Sequence, residues 1–285
     1  MNSKKMNENG NVILIAVLLI LICVCTIFAI MSFRNSNNEP TNGGGIISSG
    51  EISGESETKE DNSKIEKAEQ DAEILKAYKS ALEAIYNNHK LPDGSELFYE
   101  TEESFGSLSD NIFAIADIDS DGKKELVISW TSAPVAGLIC SVIGYDTTTK
   151  TYKEKYIGSP STEFYENGVI MNPVSHNQGL AGDKLWPYTL YEYNKETDSY
   201  DKVASVDAWD RELAEKDYDG TLYPTDIDKS GDGVVYYIIP DGTDNSKNPV
   251  SQQDYDTWLD KYIGTAKKIE LSFKNLTEEN INNVI

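Results

Sequence analysis

Four acidic side chains within one short stretch carry the clearest chemistry in this chain. In Ala116-Asp-Ile-Asp-Ser-Asp-Gly-Lys-Lys-Glu-Leu126, Asp117, Asp119, Asp121 and Glu125 stand at relative positions 1, 3, 5 and 9, with Gly122 at position 6, where a tight turn needs a residue without Cβ. Hard carboxylate oxygens at alternating positions suit Ca2+, and the main-chain carbonyl of Lys123 would add a further oxygen. The smaller, stricter octahedron of Mg2+ fits such a shell less well, and no cluster of thiols or imidazoles is present for softer metals. A helical EF-hand would require a bidentate Glu at relative position 12, where this chain has Ile128.

The residues on either side must therefore do the positioning. Ile115 before the loop and Val127 and Ile128 after it are β-branched, so the loop is expected to join two strands. A related stretch recurs as Asp226-Ile-Asp-Lys-Ser-Gly-Asp-Gly233, where Asp228, Ser230 and Asp232 would be the ligands; no acid there corresponds to Glu125. This second loop reads either as another ion loop or as an Asp- and Gly-rich turn.

Around these loops the pattern predicts an α+β domain over 64–285, an antiparallel meander-type sheet with packing helices. Ile65, Ala68, Ala72, Leu75, Tyr78, Leu82 and Ile85 draw an apolar stripe on a helix from Lys64 to His89, stopped by Leu91-Pro-Asp-Gly94. Strand pairs are expected at Leu138–Tyr145 with Thr151–Ile157, and at Tyr188–Tyr193 with Tyr200–Val206. Phe164–Met171 is expected to bend at Glu166-Asn-Gly168, and Val234–Ile239 to follow the second loop as a strand. Trp209–Lys216 reads as a short helix, Gln252–Tyr262 as a helix, Lys268–Phe273 as a closing strand, and Thr277 as the cap of a final helix.

The N-terminal part has a different character. Val12–Met31 is an uncharged, mostly aliphatic stretch, long enough as a helix to span about 30 Å of hydrocarbon. It is expected to be an uncleaved transmembrane signal-anchor, residues 12–31, with 1–11 as a cytoplasmic tail and the domain outside; Lys4 and Lys5 set that orientation. Cleavage near Ala29, or lipidation at Cys23 after Leu19-Ile-Leu-Ile, are the alternatives, although Ile22 is bulky for a lipobox. Residues 32–63, rich in Asn, Gly, Ser and Glu, read as a flexible linker holding the domain about 30 Å from the bilayer.

Charge and cysteine usage narrow the partners. A formal net charge of −23 supplies no basic footprint for phosphates, so no nucleic-acid partner is expected; divalent cations or basic surfaces fit better. Only Cys140 lies beyond the apolar segment, in an apolar run, and reads as a small buried hydrophobe.

Three further groups could bind or react. His176, Asn177 and Trp186 lie on a long connection, Asn172–Pro187, suited to a ligand contact or a plain loop. Tyr191 and Tyr193 share one strand face, which either packs a sheet or offers a platform to a carbohydrate or peptide. Asp207 and Asp210 could serve as acid and base of a surface glycan or peptide hydrolase if the fold placed them across a cleft. No H-E-x-x-H, G-x-S-x-G or Walker A pattern appears.

The stretch Ala116–Leu126 resembles the D-x-D-x-D-G-x-x-E-L hairpin of integrin-type and VCBS-like calcium repeats, and of surface proteins and lipoproteins of Gram-positive bacteria. The resemblance implies calcium held at Asp117, Asp119, Asp121 and Glu125, and a bacterial cell-surface setting. The expectation is a membrane-anchored, calcium-stabilised extracytoplasmic binding or interaction protein, with a cell-wall glycan or a protein as ligand, rather than the hydrolase.

Overall fold

The computed structural model describes residues 55–95, 97, 106–132, 138–174 and 178–285. The expected tail, membrane segment and most of the linker lie outside the described residues, as do His176 and Asn177. Glu55 to Ile285 forms one compact unit. It is α+β, as its pattern predicts, but it holds two antiparallel sheets of five strands each instead of one meander.

The first helix, α1 (Glu55–Asn88), starts before the expected Lys64 and takes in the end of the predicted linker. Its buried seam is Ile74, Tyr78, Ala81, Leu82 and Ile85. Ile65 is exposed and Leu75 only half-buried, because the helix reaches the sheet from Ile74 onward and its earlier turns project past the core. His89 at φ 52° and the turn closed by the Gly94 N–H on the Leu91 carbonyl end it, with Pro92 barring continuation.

Sheet A comprises β1 (Ile112–Ala116), β2 (Glu125–Trp130), β3 (Ile139–Asp146), β4 (Thr151–Gly158) and a two-residue edge strand, β10 (Lys274–Asn275), in the order β10-β1-β2-β3-β4. Leu126, Ile128 and Trp130 face α1, whereas Val127 between them faces the other way. Period-two alternation thus gives β2 two buried faces, and all of its residues are buried.

Sheet B follows as β5 (Glu163–Phe164), β6 (Val169–Pro173), β7 (Tyr188–Asn194), β8 (Ser199–Asp210) and β9 (Val234–Pro240), in chain order. Phe164, Ile170 and Tyr200 meet Val127, Cys140, Val142 and Tyr156 between the sheets. On its far face Leu190, Val206 and Tyr236 pack against α2 (Gln252–Tyr262), whose N-cap is Ser251. The layers therefore run helix, sheet, sheet, helix. Tyr191 and Tyr193 pack between the sheets, not as an outward shelf.

Two expected elements differ. Trp209–Lys216 does not form a helix: β8 continues to Asp210, and Trp209 on it is buried against Tyr223 and Val235. Lys268–Phe273 contributes an isolated bridge from Lys268 to Tyr165, and the strand that closes sheet A comes later, at Lys274. The last helix, α3 (Glu278–Asn282), is capped by Thr277 as expected and buries Ile281 against α1's side of sheet A.

Candidate cation site at the junction of the two sheets

The β1–β2 loop is held from three directions before any ion is considered. Tyr78 of α1 donates its hydroxyl to the Lys124 carbonyl at 2.7 Å, and Tyr200 of sheet B donates to the Ile118 carbonyl at 3.3 Å. The Ser120 hydroxyl donates to the Glu166 carbonyl on the β5–β6 turn. Positive φ at Ser120 and Gly122 makes the turn tight enough to fold the acids inward.

Within the loop, the acids hold its own amides. Asp117 Oδ2 accepts from the Gly122 N–H at 3.1 Å, Asp119 Oδ1 from Asp121 at 3.0 Å, and Asp121 Oδ1 from Lys123 at 2.7 Å. Glu125, the first residue of β2, points inward and accepts the Ile118 N–H on Oε2 at 3.0 Å. Asp119 and Glu125 are buried. Carboxylate oxygens of Asp117, Asp119 and Glu125 lie within 4.8 Å of one another, and so do those of Asp119, Asp121 and Asp198.

Two components, Lys155 and Asp198, were not legible as parts of this site. Lys155, on β4, inserts its ammonium among these acids, 2.7 Å from Asp119 Oδ2, 3.0 Å from Glu125 Oε1 and 2.9 Å from Asp198 Oδ1. Its side chain is 4% exposed. A β-bulge lies here: Val142 pairs with Tyr156 and Ile143 with Glu154, so Lys155 is the extra residue, and it shares with Tyr156 the face turned toward sheet B. Gly144 leaves it room, since a Cβ at that position would stand 2.6 Å from Lys155 Cε.

The electrostatics follow from burial and pairing. Desolvation opposes the Lys155 charge, but Glu125, Asp119 and Asp198 outweigh it and hold the ammonium above the ordinary lysine range. Burial pushes the Glu125 carboxyl up to about 8 against the pull of Lys155 and the Ile118 amide, and raises Asp119. Asp198 is also disfavoured by burial, yet the Tyr193 hydroxyl and Lys155 bring it below the ordinary carboxylate range. Three carboxyl groups thus share one buried ammonium.

Asp117 is the member with unused capacity. Its Oδ1 is buried and accepts no hydrogen bond, a costly state for a carboxylate oxygen and one that a hard cation would relieve. These oxygens are a set that could hold a hard cation. A polar cavity of about 470 Å³ opens beside the loop, bordered by Gln70, Asp121, Lys155, Thr197 and Asp198.

The second loop is built otherwise. Asp228 accepts from the Gly231 N–H at 2.9 Å and the Ser230 hydroxyl at 3.2 Å on Oδ1, and from the Gly233 N–H at 3.0 Å on Oδ2. The Asp232 N–H donates to Ser230 Oγ at 3.3 Å, while the Asp232 side chain stays exposed. Among the described residues no three acids converge there.

The remaining candidates separate as well. Asp207 sits opposite Tyr237 and Asp210 opposite Val234, residues of opposite faces of sheet B, so this pair cannot flank one scissile bond. Asp210 instead pairs with Lys184 at 3.0 Å. Trp186 is partly exposed and donates its indole N–H to the Val174 carbonyl at 2.6 Å. Cys140 is buried between the sheets, and burial pushes its thiol up to about 12, which makes it a packing residue.

Comparison of the chain with protein-family models, with curated proteins and with solved structures finds no match.

Proposed function

We propose that this chain is a membrane-anchored, calcium-stabilised extracytoplasmic interaction protein. In this reading residues 12–31 are the signal-anchor, with the N-terminus cytoplasmic, and the unit from Glu55 onward works outside the cell on a cell-wall glycan or a protein ligand. Calcium would be held by Asp117, Asp119, Asp121 and Glu125 with the Lys123 carbonyl, and would supply charge neutralisation at the point where α1 and both sheets meet the loop.

The observation that carries the reading is the buried, unpartnered Asp117 Oδ1 inside a group of acids that outnumbers its internal ammonium. An all-oxygen donor set favours calcium over thiol- or imidazole-seeking metals. At calcium about tenfold above the dissociation constant, linkage gives about 1.4 kcal/mol, a rise of roughly 3–5 °C in melting temperature for a unit of this size. Thermal unfolding of the Glu55–Ile285 unit in calcium and in chelator measures it; identical melting curves would contradict the reading.

A further inference from the structure

We propose that Lys155 is an internal competitor of calcium, a tethered cation that sets the loop's affinity for the ion by occupying the same carboxylates. This rests on the calcium reading above. Asp119 and Glu125 belong to both constellations. Each oxygen of these two acids is already engaged: Asp119 Oδ1 by the Asp121 amide, Glu125 Oε2 by the Ile118 amide, and Asp119 Oδ2 and Glu125 Oε1 by the Lys155 ammonium. A hard cation joining Asp117 competes with the ammonium for the charge of these two acids, and two like charges among shared carboxylates repel.

The fold gives the lysine somewhere to go. Asp198, its third partner, is 44% exposed at the rim of the polar cavity that Lys155 also lines. Release of Asp119 and Glu125 leaves the ammonium paired with Asp198 and turned toward solvent, so no charge becomes stranded. The path it occupies depends on Gly144, where no positive φ demands glycine and where a methyl group would collide with the end of the lysine chain, not with backbone. A glycine whose vacant side is filled by a buried lysine is what an internal counter-cation requires; a plain salt bridge at a hairpin surface does not.

The full chain in detergent micelles permits two readouts. The first is amine labelling followed by mass spectrometry. Lys155 should be protected in chelator and about tenfold more reactive in millimolar calcium, while Lys153, already exposed, stays constant. The second is the calcium dissociation constant. Lys155→Met should bind calcium about tenfold more tightly than the natural chain, and Gly144→Ala, which leaves every charge in place, should shift it the same way by a smaller factor. If Lys155→Met does not fold, Gly144→Ala carries the test. Natural chain and variants all failing to bind calcium would overturn both the ion reading and the competition. Calcium binding that leaves Lys155 protected, or equal dissociation constants in the natural chain and Gly144→Ala, would leave the ion reading standing and overturn the competition.

Discussion

The two Asp-Ile-Asp loops begin alike and end in different chemistry. At Asp117–Glu125 the last acid opens strand β2 and is driven inward by the strand's own alternation, so it meets Asp119 and the Lys155 ammonium in a buried site. At Asp226–Gly233 the next strand opens with Val234, and Asp228 spends its oxygens on Gly231, Gly233 and Ser230. The number of acids in a turn does not by itself make them converge. At the first loop they are gathered by an acid at the first position of a strand with two buried faces, which the fold forces away from water.

Substitutions in the two loops and at their supports test this difference. Lys155→Met in chelator should cost about 3–5 kcal/mol in urea denaturation, since it strands buried carboxylates without their ammonium; a loss under about 1 kcal/mol would place the network in water and erase the contrast between the loops. Tyr78→Phe keeps the ring and removes the hydroxyl from the Lys124 carbonyl, so about 1 kcal/mol should be lost whether or not calcium is present. Asp117→Asn retains an acceptor for the Gly122 amide and does not touch Lys155. It should therefore be nearly silent in chelator and abolish the calcium-dependent rise of roughly 3–5 °C. Asp232→Asn, in the second loop, should stay within about 0.5 kcal/mol in both conditions, as expected of an exposed side chain. A calcium-dependent change there would make the two loops equivalent after all.

Asp119, which spacing alone recommends as the residue to replace, is the less clean probe. It holds both its loop and Lys155, so Asp119→Asn should destabilise with and without calcium.

Much of the hairpin architecture was legible because local signals agreed with the fold. Alternation placed β1 to β4, Asn167-Gly168 marked the turn before β6, and Thr277 marked the start of the last helix. The division into two sheets was not legible, since a run of antiparallel hairpins carries no local sign of where one sheet stops and the next stacks on it. Trp209 misled because the acids and Arg211 after it suit a helix, whereas burial against Tyr223 and Val235 decided for strand.

Within the site, Asp117, Asp119 and Glu125 could be read from spacing, and their convergence bears on that spacing directly. Lys155 and Asp198 could not. In Tyr152-Lys-Glu-Lys-Tyr156, alternation keeps Lys155 on the face of Lys153, and nothing local shows that sheet B covers that face at Lys155; the bulge is what brings Tyr156 onto it as well. Asp198 comes from a turn of the other sheet, at φ 48°, and reaches the site only through the stacking of the sheets. Gly144 offered the one local hint, a glycine inside a strand, which marks a bulge or a close approach.

Calorimetric titration of Ca2+ into the metal-free Glu55–Ile285 unit bears most directly on the claim that these acids hold a hard cation. The account predicts saturable binding to one site, with a dissociation constant of about 10⁻⁴ to 10⁻³ M, that disappears in Asp117→Asn and survives in Asp232→Asn. An absence of binding heat through several millimolar calcium, or binding that persists in Asp117→Asn, would contradict it.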